Sequence, residues 1–438
     1  MPAEISIPKR RGKAKVKISQ KRKLLKERLK ELDTEDLDVS LGLIQELIPL
    51  ALRTVEEKLK EEVRKIVGIR YEHGKKNVSW GRQGGSIYLR DQKIPIEVPR
   101  VRNFKEHKEV SLEAYRRLQQ PYLSDEQTIL KLLNGISMRN YKKCAELIPE
   151  VFGISPSNLS RRFKNRTAEL VRHLKTRNLS GYEFVCVFID GKRYAKDGLL
   201  VALGVTLEGK KVVLDISHAY TENNTVVNQF FDGLIERGLR FEQGILFIVD
   251  GSKGLIKSIE SRFQEYAFIQ RCQWHKKQNV ISYLNESQQE ICKRRLQAAY
   301  QKTNYKEAKD ALLLLYHELY RVNQSAASSL LEGLEETLTL HKLGLSPELC
   351  KSLNSTNCIE SVMSQLSQYT DKVDRWQNSY QLIRWTAASL LQIEPYLQRV
   401  KGFRYLKVLR FKMQEEIKKR QDVKYGRQLQ KDLEPIVI

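Results

Sequence analysis

The sequence has 438 residues, of which 41% are hydrophobic, so it is long enough for two to four domains and for a sizeable core. Its formal net charge is +24, and lysine and arginine are in excess at both ends of the chain as well as in the middle. An excess of this size makes nucleic acid the leading partner, since a merely solvated surface needs far less positive charge.

Six cysteines stand at irregular spacings, which excludes a disulfide scaffold and indicates a reducing compartment. No apolar run approaches the roughly 20 residues that a membrane-spanning helix needs, and the amino terminus lacks the apolar segment of a secretory signal. The sequence therefore predicts a soluble, cytoplasmic protein that does not enter a membrane.

The first hundred residues change character twice. Residues 1–40 predict a disordered basic arm, and helical spacing follows to Val67, with Pro49 expected to kink or divide the helix. Alternation around Arg90–Gln92 then predicts a β-hairpin, with turns before it at three glycines. The hairpin would either touch a DNA backbone or cap the next domain. The three glycines are Gly81, Gly84 and Gly85.

Residues 121–176 predict three helical segments that are separated at Gly135 and near Gly153. Ser155 as N-cap and Pro156 at the first helical position mark the start of the last segment. A short connection between such helices is typical of a helix-turn-helix, although a cationic helical bundle is the alternative. The last helix would face DNA with Ser157, Asn158, Ser160, Arg161, Arg162 and Lys164.

Two later apolar runs each end in an Asp-Gly pair. The run Phe184–Ile189 precedes Asp190, and the run Ile245–Val249 precedes Asp250. Both predict buried strands that deliver a carboxylate to their carboxyl ends, where open α/β sheets bind ligands. Ordinary turn chemistry is the alternative for either pair alone.

The elements around these runs have the order β-β-β-α-β-α-β, which is that of the ribonuclease H-like fold. In that fold the first and fourth strands are parallel neighbours, so the two aspartates would lie side by side. The strands are predicted at 184–189, 199–206, 211–217, 245–249 and 267–270.

The remaining sequence predicts helices only. The block from Lys276 to Leu345 has no strand signal and is interpreted as an insertion into the catalytic domain. A helix then begins after Ser355 or Thr356 as N-cap and carries Glu360 in its first turn. The predicted domains are a basic arm (1–40), a helix with a small β region for DNA binding or dimerisation (41–110), a helix-turn-helix (111–178), the first part of the core (179–275), the helical insertion (276–350), the final core helices (351–400) and a basic tail (401–438).

Four motifs in a fixed order carry a resemblance: FIDGKRY, FIVDGSKG, RCQWHKKQN and STNCIESVMSQL. Together they resemble the Mutator-like bacterial insertion-sequence transposases, which belong to the DDE superfamily, over roughly residues 120–410. The resemblance implies that Asp190, Asp250 and Glu360 are the catalytic, metal-binding acids. Cys272 and His275 match the C-x-x-H element of the group.

Three carboxylates suit two divalent ions, Mg²⁺ or Mn²⁺, about 3.5 to 4 Å apart. Cys272 and His275 are expected to have a structural or DNA-positioning role, and zinc binding by them stays open as the alternative, since a zinc site needs further ligands. Trp274 would stack on an unpaired base or pack in the core, and Lys276 would contact DNA.

The resemblance implies binding of double-stranded DNA, namely terminal inverted repeats and a target, followed by cleavage and strand transfer. Chemistry on two ends implies a homo-oligomer, at least a dimer, in the bacterial cytoplasm at the nucleoid. The alternatives are a ribonuclease H-like nuclease or resolvase that cuts without joining, and a domesticated DNA-binding protein without catalysis.

Overall fold

A computed structural model of the chain describes residues 37–68, 76–89, 92–119, 129–135, 155–194, 197–218 and 224–433. These residues form two compact mixed α/β units, one that ends at residue 119 and one that begins at residue 129. Most of the predicted basic arm lies outside the described residues. So does most of the first two helices of the predicted helix-turn-helix. Within them, no helix has the length and apolar character to cross a membrane.

The first unit is a long helix followed by a small antiparallel sheet. Leu89 pairs with Gln92, which confirms the predicted hairpin, and the strand order is β1-β2-β3. Leu59 from the helix packs against Val98 and Val101 of the second strand. The elements are α1 (Leu37–Val67), β1 (Asn77–Leu89), β2 (Gln92–Asn103), β3 (Glu109–Val110) and α2 (Glu113–Leu118).

Two predictions for this unit need correction. Helix α1 runs through Pro49 without division, whereas the alternative, a kink at Pro49, stays a prediction. The three glycines lie inside β1 and do not form turns before the hairpin. Gly81, with φ of +87°, lies at a bulge where the β1–β2 register shifts, and a side chain on Gly85 would collide with the Tyr115 hydroxyl.

The second unit is built on a five-stranded sheet with the order β6-β5-β4-β7-β8. Strands β4, β5 and β6 are antiparallel neighbours, whereas β4, β7 and β8 are parallel. This confirms the predicted meander and the predicted pairing of the first and fourth strands. The strands are β4 (Phe184–Tyr194), β5 (Asp197–Thr206), β6 (Lys211–His218), β7 (Ile245–Val249) and β8 (Ala267–Arg271).

Helices cover both faces of this sheet, and the block predicted as an insertion is helical throughout. Its own core is formed by residues such as Leu296, Leu312 and Leu330. The helices are α3 (Pro156–Thr176), α4 (Asn224–Glu236), α5 (Lys253–Phe263), α6 (Gln273–Ile281), α7 (Glu286–Tyr300), α8 (Tyr305–Val322), α9 (Gln324–Leu331), α10 (Leu334–Thr337), α11 (Thr339–Lys342), α12 (Ser346–Leu353), α13 (Asn357–Thr370), α14 (Ser379–Ile393) and α15 (Leu406–Leu433).

Alternate residues of the central strands enter two separate cores. In β4, Phe188 joins the core built with α13, α14 and α15, whereas Val187 and Ile189 join the core built with α4 and α5. Because both faces are covered, β4 and β7 begin as unbroken apolar runs instead of alternating ones. This explains why their sequences were recognisable as buried strands.

The long helix α15 holds the amino-terminal ends of the two central strands. The buried Arg410 guanidinium donates to the carbonyl oxygen of Gly244, just before β7, at 3.1 Å. It also donates to the carbonyl oxygen of Phe184, the first residue of β4. One side chain from α15 therefore ties together the starts of the strands that lead to Asp190 and Asp250.

Candidate active site

Asp190 and Asp250 lie at the same level of adjacent strands. The last described pair between parallel β4 and β7 is Phe188 with Ile248, and each aspartate stands two residues beyond it. Adjacent strands are about 4.8 Å apart, so the two carboxylates share one edge of the sheet. This is the side-by-side placement that the element order predicted.

The prediction that Asp190 and Gly191 close their strand is wrong. Strand β4 continues to Tyr194 because its antiparallel partner β5 extends equally far, with Asp190 opposite Val201. Only the parallel partner β7 ends before its aspartate. Asp190 therefore sits on a continuous strand, which fixes its backbone more firmly than a turn would.

Glu360 stands in the first turn of α13, as predicted, with Thr356 as the N-cap residue. Helix α13 packs against β4, and the Tyr194 hydroxyl lies 3.2 Å from the Thr370 hydroxyl across this contact. The Lys192 ammonium also donates to the Ser367 hydroxyl. These contacts fix the helix of the third acid on the strand of the first.

The pKa of Asp190 depends on the charges of both other acids. Burial raises the pKa of Asp190 to about 6, and the charges of Asp250 and Glu360 add to the rise, while the Gly191 backbone N–H opposes it. Like charges crowd a partly buried site here, which is a frequent property of functional carboxylates.

We expect Asp190→Asn to raise the stability of the metal-free protein at neutral pH. Since the folded pKa of about 6 exceeds the ordinary 3.8, wild-type stability falls as the pH rises from about 4 through 6. The variant should gain up to about 3 kcal/mol in free energy of unfolding above pH 6.5, and nothing below pH 4. Urea unfolding in chelator between pH 4 and pH 8 measures this. If the variant and the wild type differed equally in free energy of unfolding at pH 4 and at pH 8, the assignment of the pKa shift to Asp190 would be contradicted.

Each carboxylate also has local hydrogen-bond donors. The Gly191 N–H donates to Asp190 Oδ1 and the Ser252 N–H to Asp250 Oδ1, both at 2.9 Å, and the Thr356 hydroxyl donates to Glu360 Oε1. Among the described residues, no three His, Cys, Asp or Glu side chains are grouped closely enough to hold a metal ion. The donor set is nevertheless all oxygen and anionic, which fits a hard divalent cation.

Cys272 joins the elements that carry the second and third acids. Its backbone N–H donates to the carbonyl of Val249, next to Asp250, at 2.8 Å. Its buried sulfur accepts from the backbone N–H of His275 at 3.5 Å and from that of Thr356 at 3.4 Å. The amino-terminal ends of α6 and α13 thus meet at one sulfur atom.

His275 lies between this sulfur and the third acid. Its Nδ1 is 3.3 Å from the Thr356 hydroxyl, and its Nε2 is 3.9 Å from Glu360 Oε1. The hydrogen bond to Cys272 and the charges of Cys272, Glu360 and Asp250 raise its pKa, although burial opposes them. Burial would raise the pKa of the Cys272 thiol, but hydrogen bonds from His275 and Thr356 lower it on balance. This arrangement is consistent with a structural role for the pair.

Trp274 and Lys276, the other two predicted residues of this segment, differ in solvent exposure. Trp274 is 46% exposed and lines a cleft of about 480 Å³, which disagrees with packing in the core. Lys276 is fully buried, and its ammonium donates to the carbonyl oxygens of Ser329 and Glu332. Burial lowers the pKa of Lys276 to about 8. The prediction that Lys276 contacts DNA is therefore wrong, because this side chain is buried and ties α6 to the end of α9.

Helix α3 presents only part of the predicted DNA-contact set. The Ser155 hydroxyl caps it by accepting from the Asn158 N–H, and Pro156 opens it, as predicted. Ser157, Arg161 and Lys164 are exposed on one face, and Asn158 and Ser160 are half-buried. Arg162 is only 6% exposed, on the face that packs with Leu159 and Phe163. Arg162 is thus removed from the DNA-contact set.

A basic cleft beside Asp250 was not predicted. It has a volume of about 790 Å³, and its charged lining is Asp250 together with five cationic side chains. In the sequence, this cleft could have been inferred from Lys253 and Lys257, which lie at the start of the helix that follows Asp250. The five cationic residues of the basic cleft are Lys192, Arg193, Lys253, Lys257 and Arg271.

Comparison with known proteins identifies insertion-sequence transposases as relatives of this chain. The transposase of element IS905 from Lactococcus lactis subsp. lactis (strain IL1403) is 27% identical over 320 residues, which cover 71% of this chain and 77% of that protein. The transposase of ISRM5 from Rhizobium meliloti (strain 1021) is 26% identical over 339 residues, 74% and 81% of the two chains.

The transposase of IS256 in transposon Tn4001 from Staphylococcus aureus is 24% identical over 315 residues, 68% and 77% of the two chains. The family described as "Transposase, Mutator family" matches residues 19–396, which is most of the sequence. The chain therefore belongs to the Mutator family of transposases.

Proposed function

We propose that the chain is a DDE transposase with a ribonuclease H-like catalytic domain. The observation that carries the proposal is the equal level of Asp190 and Asp250 on adjacent parallel strands. The strand order β6-β5-β4-β7-β8, with the first three strands antiparallel, supports the fold. Glu360, on a helix packed against β4, is the proposed third acid.

The proposed chemistry consists of two displacements at phosphorus. In the first, water attacks a phosphodiester at the end of the element, and the P–O3′ bond breaks to leave a free 3′-hydroxyl. In the second, that hydroxyl attacks a target phosphodiester, so one P–O bond forms and one breaks. Asp190, Asp250 and Glu360 would hold Mg²⁺ or Mn²⁺, two ions in the proposal, which would activate the attacking oxygen and stabilise the leaving one.

The protein's own contribution is to hold the DNA beside these acids. The basic cleft places cationic side chains next to Asp250, where a phosphate backbone would lie. Ser157, Arg161 and Lys164 on α3 recur at helical spacing on one face and are the proposed contacts of a recognition helix, with Asn158 and Ser160 at its edge. Trp274 offers an exposed ring for stacking on an unpaired base.

Each chain supplies one acid set, whereas an element has two ends. We therefore propose that a homo-oligomer, at least a dimer, brings both ends together in the bacterial cytoplasm. The zinc alternative at Cys272 and His275 is not part of the proposal, because a zinc site needs further ligands and, among the described residues, no third His, Cys, Asp or Glu side chain is grouped with the pair.

The test separates joining from cutting. Labelled duplexes that carry the inverted repeats flanking the coding sequence are supplied uncut or pre-cleaved, with plasmid target and Mg²⁺. A transposase should cut the first and join both to the plasmid, and chelator should stop both reactions. Cutting without joining of pre-cleaved ends would indicate a nuclease or resolvase. Binding with neither reaction would indicate a non-catalytic DNA-binding protein.

A further inference from the structure

The amino-terminal end of α5 lies in the wall of the basic cleft without a capping side chain. The first helix hydrogen bond runs from the Ile256 N–H to the Ser252 carbonyl at 3.0 Å. The N–H groups of Lys253, Gly254 and Leu255 therefore have no acceptor within the helix. The Ser252 side chain makes no cap hydrogen bond, and the first turn contains no acidic residue. Such an end carries partial positive charge and is suited to an anion.

A second feature points at the same place. Arg271 is only 5% exposed, and its guanidinium lies directly against Gly251, so that a side chain at Gly251 would collide with it. One terminal nitrogen donates to the Glu332 carbonyl at 3.2 Å, whereas Nε is buried without a hydrogen-bond partner. A buried guanidinium nitrogen without an acceptor is costly unless a ligand supplies one. Arg271 also lines the basic cleft.

We propose that the α5 amino-terminal end and Arg271 form a binding site for one DNA phosphodiester, separate from the carboxylates. The backbone N–H groups of Lys253 and Gly254 and the Arg271 guanidinium are its donors. Lys257, exposed one turn along α5, adds charge at its rim. The ligand class rests on the proposed function, since the phosphate belongs to the DNA strand that passes Asp250.

Glu332 places a negative charge beside this site. Its removal should therefore change the affinity for an anion in the opposite direction from removal of a cation. Its carboxylate lies 3.2 Å from the Lys253 ammonium and 3.7 Å from Arg271. A bound phosphodiester would share these two cations with it. Removal of the Glu332 charge should therefore strengthen anion binding, whereas removal of Lys257 should weaken it.

The experiment uses dimethyl phosphate, which is a single phosphodiester, and the full chain labelled with ¹⁵N-glycine. At constant ionic strength, the Gly254 amide resonance should shift and saturate, while the distant Gly344 stays fixed. Gly254→Ala assigns the peak. We expect Lys257→Gln to weaken the apparent affinity roughly 3-fold, Arg271→Lys roughly 10-fold, and Glu332→Gln to tighten it. Lys351→Gln, an exposed lysine on another cleft, is the matched control.

The proposal is overturned if the Gly254 resonance does not move, or if Lys257→Gln and Glu332→Gln bind dimethyl phosphate as the wild type does. Because Lys257 and Glu332 are exposed, these two variants keep the test valid if Arg271→Lys fails to fold. No DNA end or cleavage enters the measurement. A protein that fails to cut its ends but binds dimethyl phosphate here would refute the proposed function alone.

Discussion

Replacement of any one proposed acid should abolish DNA cleavage and strand transfer. We expect Asp190→Asn, Asp250→Asn and Glu360→Gln each to lower both rates by at least about 10³-fold, because each removes a negative oxygen ligand that its neighbours cannot replace. Binding of the terminal repeats should change by no more than a few-fold, since the exposed face of α3 and the basic cleft are untouched. Gel assays of labelled ends, with mobility shifts in chelator, measure the two properties.

Asp232→Asn is the matched control. Asp232 is a half-exposed carboxylate on α4 that pairs with Arg262 at 3.0 Å, so its loss should cost little and leave cleavage intact. Cleavage by any one of the three acid variants at a near wild-type rate would reject the assigned acid set. Loss of repeat binding in these variants would instead indicate that the substitutions act through misfolding.

The second large effect is expected for Gly251→Ala, next to the second acid. Gly251 has a φ of +103°, and a Cβ there would stand 2.0 Å from Arg271 Nε. We expect the free energy of unfolding to fall by roughly 3 kcal/mol or more, because backbone strain adds to displacement of a buried guanidinium. Urea unfolding measures the loss, and cleavage assays should show reduced activity at temperatures where the variant is still folded.

Gly344→Ala is the control that measures the cost of backbone strain without a steric collision. Gly344 also has a positive φ, +71°, but apart from its chain neighbours no atom of the described residues lies within 4 Å of the position its Cβ would take. Its substitution should therefore cost only the backbone strain, about 1 to 2 kcal/mol. If Gly251→Ala proves no more destabilising than Gly344→Ala, the close packing of Arg271 over Gly251 is not a stabilising feature.

Elements defined by local pattern were predictable from the sequence. The apolar runs at 184–189 and 245–249 gave the central strands, because burial on both faces requires continuous apolar side chains. Their adjacency followed from the order of the elements. The cap at Ser155 and the position of Glu360 in a first helical turn followed from local helix chemistry.

Features that depend on distant partners were not predictable. Lys276 looks like a surface residue, yet carbonyl groups more than fifty positions later surround its ammonium. Gly191 looks like a strand end, but the extent of β5 decides where β4 stops. Arg162 resembles its exposed neighbours in composition and differs only in the face of α3 on which it falls.

The contact of Arg410 with the starts of β4 and β7 bears on the order in which the protein is made. During synthesis, residues 184–250 leave the ribosome long before Glu360 and longer still before Arg410. Until those residues follow, the nascent chain has two acids on an unclamped sheet and lacks the third. Under the proposed function, a partial translation product that ends before residue 360 would lack the third acid, so it should not cut the chromosome that encodes it.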